Sequence, residues 1–435
     1  YKTYLGNFMR KTLILSMLIT ISAAAQTLTD TLTFMHYNVL NYRNYSTYCT
    51  TSNNNHATKE SHMNTIVGYL LPDIITVNEM AGDGISPTRL LDNGINQGGR
   101  KFYKQCAYSA NSNLCNMLYY NENKLSLHNQ DKIDRASNGT FLVRQIDVYT
   151  LYYRDQSQLE QGDTTFLTVY VAHLKAGNTA ADATERATMT TALMAYHNEH
   201  YNANHTYLMS GDFNVYTSNE QAFVKLLADA NTAIRFKDPI NKPGAWNNTG
   251  AYASIHTQST RVTGSCHSGG GLDDRFDFIL CGQELLSNTR GLGYVNGSYK
   301  AVGNDGNHFN ADINAGSNST VPSNVLAALY GMSDHLPVIL KMGITRTTLT
   351  VAEKHIDNYL ILNNPVSNQL FWKMQIPQSG TLTITDIQGK EVLVYNLTAG
   401  TEWITNDIST WESGTYYAHF IAQNGEVLRR KLIKI

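Results

Sequence analysis

Residues 205–214 read HTYLMSGDFN. The first half, with Thr206, Tyr207, Leu208 and Met209, is rich in strand-forming side chains. The second half ends on a glycine and two polar residues, Asp212 and Asn214, that bracket Phe213. The same arrangement recurs on either side of it. LTFMHYNVL (32–40) carries Asn38 near its end, DIITVNE (73–79) ends on Glu79, and FLTVYVAHL (166–174) carries His173. RFDFIL (275–280) contains Asp277, and Asp334 and His335 stand just before LPVILKM (336–342). NMLYYN (116–121) reads as a further strand. Helical stretches are expected at 58–71, 184–203 and 219–229; the second has apolar side chains at Ala187, Met189, Leu193 and Met194. Strands mixed with helices imply an α/β or α+β domain built on a large sheet.

Strands laid side by side bring such ends to one edge. Asn38, Glu79, Asp212, Asn214 and Asp334 then offer hard oxygen ligands for a divalent cation, and His173 and His335 offer imidazoles for proton transfer. Singly, each has an ordinary reading. Asn38 and the Asp212–Asn214 segment suit turns, Glu79 a solvated charge, His173 a satisfied histidine, and Asp334 a cap. Asp277 is more pointed, because a carboxylate among apolar neighbours needs a partner.

Six motifs occur in a fixed order: HYNVLNY, VNEM, VAHLKAG, SGDFN, DDRFDFIL and MSDHLPV. In this order the chain resembles the endonuclease/exonuclease/phosphatase superfamily over residues 28–343. The resemblance implies an α+β fold, the deoxyribonuclease-I-like four-layer α/β/β/α sandwich. It also implies site roles. Glu79 and Asn38 hold Mg²⁺ (Mn²⁺ or Ca²⁺ being the other options), and His335 is the general base, oriented by Asp277. Asp212 and Asn214 position the nucleophile and could share a second metal with Asp334. His173 contacts the phosphate or protonates the leaving group, and Arg144 and Lys175 are further phosphate contacts. Two departures stand out: Asn78 where the family has Gln, and long insertions at 238–271 and 282–331.

The expected activity is a secreted, metal-dependent phosphodiester hydrolase, foremost a nuclease. The alternatives are a phosphoesterase of lipid, inositol or other small phosphoesters, and an inactive surface-displayed binding protein. Charge narrows the first reading. Residues 27–343 carry 22 basic and 27 acidic side chains. That net of -5 opposes tight, charge-driven binding of duplex nucleic acid. The polar, Gly/Asn-rich stretch 282–331, with GNDGNHFNADINAGSNS within it, reads as a long functional or mobile loop.

The ends of the chain speak of export. Met9-Arg10-Lys11, the apolar run TLILSMLITI (12–21) and Ala23-Ala24-Ala25 have the three parts of a signal peptide over 9–25, with residues 1–8 preceding the initiator. The run is too short to span a bilayer, and nothing after it is long and apolar enough. Past a linker at 344–356, residues 357–435 read as short strands between turns (PQSG, DIQGK, QNG), a small all-β sandwich. NPVSNQLFW, GTLTITDIQGKEVL, ISTWESGTYYAHF and the terminal LRRKLIKI resemble the type IX secretion sorting domain of Bacteroidetes. That implies type IX machinery as a partner, and release or display at the cell surface after passage through the periplasm and outer membrane. Of five cysteines, Cys106 with Cys115 and Cys266 with Cys281 are near enough in sequence to pair, leaving Cys49; sequence does not fix the connectivity. No CxxC pair is present for a structural zinc.

Overall fold

A computed structural model of the chain describes residues 26–155, 159, 164–347, 360–374, 379–397, 403–422 and 427–435. The expected signal peptide at 9–25 and most of the expected linker at 344–356 lie outside the described residues. The chain divides into two compact units, Gln26–Arg346 and Thr347–Ile435 as far as described.

The first unit holds β1 (Gln26–Tyr42), β2 (Ile74–Ala81), β3 (Tyr103–Gln105), β4 (Leu114–Asn121), β5 (Leu125–Arg135), β6 (Phe141–Tyr153) and β7 (Phe166–His173). It continues with β8 (His205–Asp212), β9 (Phe236–Lys237), β10 (Asp277–Gly282), β11 (Leu292–Tyr294), β12 (Lys300–Ala301) and β13 (Val338–Thr347). These form two mixed sheets. One runs β11-β13-β1-β2-β4-β3, with β12 against β13; the other runs β5-β6-β7-β8-β10-β9. The long helices are α1 (His56–Leu70), α2 (Ala180–Glu199), α3 (Gln221–Leu227) and α4 (Ser323–Met332).

Alternation along each strand sorts side chains into layers. Phe34, Ile74, Leu118, Tyr149, Val169, Leu208, Ile279 and Leu340 meet between the sheets. Their sequence neighbours turn outward. Met35, Ile75 and Val77 pack on Met63, Val67, Leu326 and Leu329 of α1 and α4. Val148, Tyr170 and Met209 pack on Met189, Leu193 and Phe223 of α2 and α3. The result is helices, sheet, sheet, helices: the four-layer sandwich. Local signals end the helices. Asn55 caps α1, Thr179 and Asp182 form a capping box on α2, and Leu71 closes α1 in the left-handed region.

Several features differ from the sequence expectations. The polar stretch 282–331 is not one long loop; it contains a short helix at Gln283–Ser287, β11, β12 and α4. α4 carries its own signal, Pro322 followed by the apolar face Val325, Leu326 and Leu329. β5 and β6 went unread because their charged side chains break the alternation. The cysteine pairs suggested by proximity are also corrected: Cys49 is bonded to Cys266, while Cys106, Cys115 and Cys281 are reduced and buried in the core. Loop contacts between distant segments, not sequence distance, decide that pairing.

The second unit is the expected β-sandwich. β14 (Leu360–Leu362), β15 (Gln369–Met374) and β18 (Trp403–Asp407) form one sheet. β16 (Gly380–Asp386), β17 (Glu391–Leu397), β19 (Gly414–Ala422) and β20 (Val427–Lys434) form the other. Leu370, Trp372, Leu382, Ile384, Phe420 and Leu432 fill the space between them.

Candidate active site

The inward-facing rows of the first unit change character at one end. Phe34 is followed on the same face by His36 and Asn38, Ile74 by Thr76 and Asn78, Val171 by His173, and Leu208 by Ser210 and Asp212. Hydrogen bonds join these rows across the layers. His36 Nδ1 meets Thr76 Oγ1 at 3.1 Å, and Thr76 Oγ1 meets Ser210 Oγ at 3.0 Å. A polar floor thus closes the apolar interface, and the site stands on it.

Close backbone approach shapes the two decisive strands. β7 and β8 are parallel, with His173 opposite Asp212. A Cβ on Gly211 would collide with the carbonyl of Ala172, so SGDFN needs its glycine. At Glu79 the backbone enters the left-handed region (φ 60°) beside a register shift in the β2–β4 pairing. A non-glycine residue there is strained, and the kink carries Glu79 out of the strand alternation and into the site.

Asn38 sits at the centre. Its Nδ2 is 3.0 Å from Glu79 Oε1, 3.0 Å from Asp212 Oδ2 and 3.4 Å from His335 Nε2. Its Oδ1 faces away, accepting from the N–H of Leu40. In this orientation Asn38 holds the two carboxylates rather than offering an oxygen to a cation. His173 Nε2 lies 3.7 Å from Glu79 Oε1 and 3.6 Å from Asp212 Oδ2. The ligand atoms of Glu79, His173 and Asp212 all lie within 4.8 Å of one another.

His335 is fixed from both ring nitrogens. Nδ1 meets Asp277 Oδ2 at 2.7 Å; Nε2 is 2.8 Å from the Gln258 side-chain amide and 3.7 Å from Asp212 Oδ2. The loop carrying Gln258 is itself braced. Leu336 N–H donates to Thr257 O, Thr260 N–H donates to Asp334 O, and the Thr257 hydroxyl accepts from Asp277 N–H. The Cys49–Cys266 disulfide ties this loop to the segment after β1.

The remaining sequence-nominated residues are placed as follows. Asn214 caps Asp212, its N–H on Oδ1 at 3.1 Å, and its own amide donates to Leu174 O. Arg144 donates to the same carbonyl at 2.7 Å, and Glu79 and Asp212 lie in its electrostatic field. Asp334 faces the insertion, accepting from Ser268 N–H at 2.8 Å, and is not part of the Glu79–His173–Asp212 group. Lys175 is ion-paired with Asp182 at 2.6 Å, at the start of α2. Two residues of the site, half-buried Gln258 and buried His36, were not read from sequence. Gln258 has no motif to announce it. His36 could have been found by counting two residues back from Asn38 on the same face; its Nε2 is 3.7 Å from Asp277 Oδ1.

Burial and charge set the protonation states. Burial opposes the imidazolium of His335, but the carboxylates of Asp277 and Asp212 outweigh it and raise its pKa well above the ordinary value. Asp277 would be pushed up by burial, yet His335 and His36 hold it below the usual carboxylate range. Burial, aided by Asp277 and Glu79 against the pull of His335 and Asn38, lifts Asp212 to about 7. Burial, with Arg144 and His335 nearby, drives His173 well below its usual pKa, leaving a neutral ring. Two carboxylates and a neutral imidazole form a donor set that fits a divalent cation.

Fold and layer order make the first unit deoxyribonuclease-I-like, the architecture of the endonuclease/exonuclease/phosphatase proteins. Residues 361–435 match the family described as the secretion system C-terminal sorting domain, which places the chain at the cell surface or outside the cell. Among solved structures, the human Nocturnin catalytic domain with bound sulfate anion is 14% identical, with a TM-score of 0.44 over 73% of this chain and 97% of that one. A mannosyl-6-phosphatase of Bacteroides thetaiotaomicron is 12% identical, with a TM-score of 0.43 over 72% and 99%. An endonuclease/exonuclease/phosphatase family protein from the same organism is 13% identical, with a TM-score of 0.42 over 73% and 98%. No curated protein matches the chain. Among the described residues, no helix is long and apolar enough to cross a membrane.

Proposed function

We propose that the chain is an exported, divalent-metal-dependent phosphoester hydrolase, and that its substrate is a phosphodiester, foremost nucleic acid in short or single-stranded form. The observation that supports this most is the buried His335–Asp277 pair, whose second ring nitrogen faces Gln258, Asn38 and Asp212, beside Glu79 and His173. Export is assigned to the type IX machinery, acting through the C-terminal unit.

Glu79, His173 and Asp212 would hold the cation, which supplies neutralisation of charge on the phosphoryl and leaving oxygens. The protein's own groups do the rest. Water gives a proton to Nε2 of His335 as its oxygen bonds to phosphorus. The bond from phosphorus to the leaving oxygen breaks, and that oxygen takes a proton from solvent. Asp277 remains ionised and holds Nδ1 throughout. Asp212 engaged with a cation would hold the His335 proton more weakly, which would favour the ring as a base. Arg144 contributes positive charge beside Glu79 and Asp212.

One feature supports the nucleic-acid substrate. Tyr45 and Tyr48 are exposed on the segment that follows Asn41, whose N–H donates to Glu79 Oε2 at 3.0 Å. Exposed rings on a segment anchored at the candidate site suit base stacking. The acidic balance of the unit opposes a charge-driven grip on long duplexes.

The test uses the full chain with plasmid DNA, single-stranded DNA, RNA, a chromogenic phosphodiester and sphingomyelin, each with Mg²⁺ or EDTA, beside His335→Ala. Cleavage of single strands, lost with EDTA and with His335→Ala, is the expected result. Cleavage of sphingomyelin or the small ester alone would discard the nucleic-acid substrate. A folded wild-type protein that turns over none of them would sink the hydrolase reading.

A further inference from the structure

Four buried polar residues form a chain that crosses twice between the sheets. Asp147 on β6 accepts at Oδ2 from Asn116 Nδ2 on β4, at 2.9 Å. Asn116 accepts at Oδ1 from Asn78 Nδ2 on β2, at 2.7 Å. Asn78 accepts at Oδ1 from the backbone N–H of Asp212 on β8, at 2.9 Å. Asp147 is held in turn by Ser109 Oγ at 2.9 Å and Gln145 Nε2 at 2.8 Å. Asn116 also donates to Val171 O at 3.2 Å.

Polar groups in an interface between sheets carry a desolvation cost that an apolar set would avoid. Their position suggests what that cost supports. Three contacts of the chain lie beside members of the Glu79–His173–Asp212 group. Asn78 immediately precedes Glu79, Val171 stands two residues before His173 on the same face, and the last bond grips the Asp212 peptide itself. Glu79 sits in a strained conformation that needs its neighbour held. The network also accounts for Asn78: Asn116 on the adjacent strand β4 of the same sheet lies at hydrogen-bonding distance, where the longer Gln would have to fold back.

We infer that Asp147, Asn116 and Asn78 are positioning residues, a relay that fixes the backbone under Glu79, His173 and Asp212 and so sets the site's affinity for a divalent cation. The inference rests on the phosphoesterase reading for its catalytic consequence, though not for the binding measurement that tests it. Partners that orient ligand residues from behind are worth about 10–100-fold in metal affinity or activity.

The experiment titrates Mn²⁺ into the full chain and its variants, following the free ion by electron paramagnetic resonance, and measures kcat and KM for whichever substrate the wild type cleaves. Asn116→Leu and the isosteric Asp147→Asn should both weaken Mn²⁺ binding about 10–100-fold, with kcat falling and KM little changed. Asn116→Asp alone sets two carboxylates side by side; adding Asp147→Asn restores a donor–acceptor pair in reverse and should recover much of the lost affinity. Folded Asp147→Asn and Asn116→Leu proteins with wild-type Mn²⁺ affinity would overturn the relay, as would an exchange pair no better than Asn116→Asp. A wild type that binds Mn²⁺ but cleaves nothing would count against the proposed function alone.

Discussion

His335 Nδ1 and Asp277 Oδ2 lie 2.7 Å apart, and both residues are closed off from solvent. The pair comes from two different sheets, β10 and the approach to β13, so it exists only when the sheets are packed. Asp277 fixes which ring nitrogen faces the site. Asp277→Asn should therefore leave the fold intact and lower kcat by about 10²–10⁴, the range for a proton-transfer group, with His335→Ala at least as severe. Circular dichroism with steady-state rates checks it; a folded Asp277→Asn protein at wild-type rate would contradict the assignment.

Cation binding should register as stability. A ligand that binds only the folded state at 100 times its Kd adds about 2.7 kcal/mol. Mn²⁺ should raise the urea midpoint of the wild type, EDTA should reverse the rise, and Glu79→Gln should abolish it. An equal rise in Glu79→Gln would place the cation elsewhere.

The Cys49–Cys266 bond joins segments 217 residues apart in sequence. Loss of such a native bond costs about 2–5 kcal/mol. Reductant, or Cys49→Ser with Cys266→Ser, should lower the urea midpoint accordingly. Activity should fall as well, because Cys266 lies in the insertion that presents Gln258 to His335 and Ser268 to Asp334. Unchanged turnover in the double variant would show that the insertion holds its place unaided.

His197, buried against Tyr170 and Tyr207, has its pKa lowered to about 4 by desolvation. Its folded value lies below the unfolded value of about 6.5. The stabilisation is therefore complete above that unfolded value and is lost as pH falls toward 4. The difference corresponds to about 3 kcal/mol at the acid end. The urea stability of His197→Gln should decline less than that of the wild type between pH 7.5 and pH 4; parallel declines would refute it.

Strand ends were legible in the sequence because polar residues interrupt apolar alternation there, as at Asn38, His173 and Asp212. The layer order came only with the motif resemblance. Asn116 and Asp147 sit inside runs that read as ordinary strand, and their role depends on partners 31 and 38 residues away. Gln258 reaches His335 through loop backbone pairing that leaves no periodic trace. The cysteine pairing failed for the same reason, since proximity along the chain says little about contacts between insertions.

β1 and β13 are the first and last strands of their unit, yet they are neighbours in the middle of a sheet. Asn38 and His335, which touch at the site, are thus contributed at opposite ends of the unit's synthesis. A growing or still-threading chain has no assembled centre until its final strand is delivered into place. For a protein sent out of the cell, the order of strands acts as a timer: the centre forms only once the unit is complete.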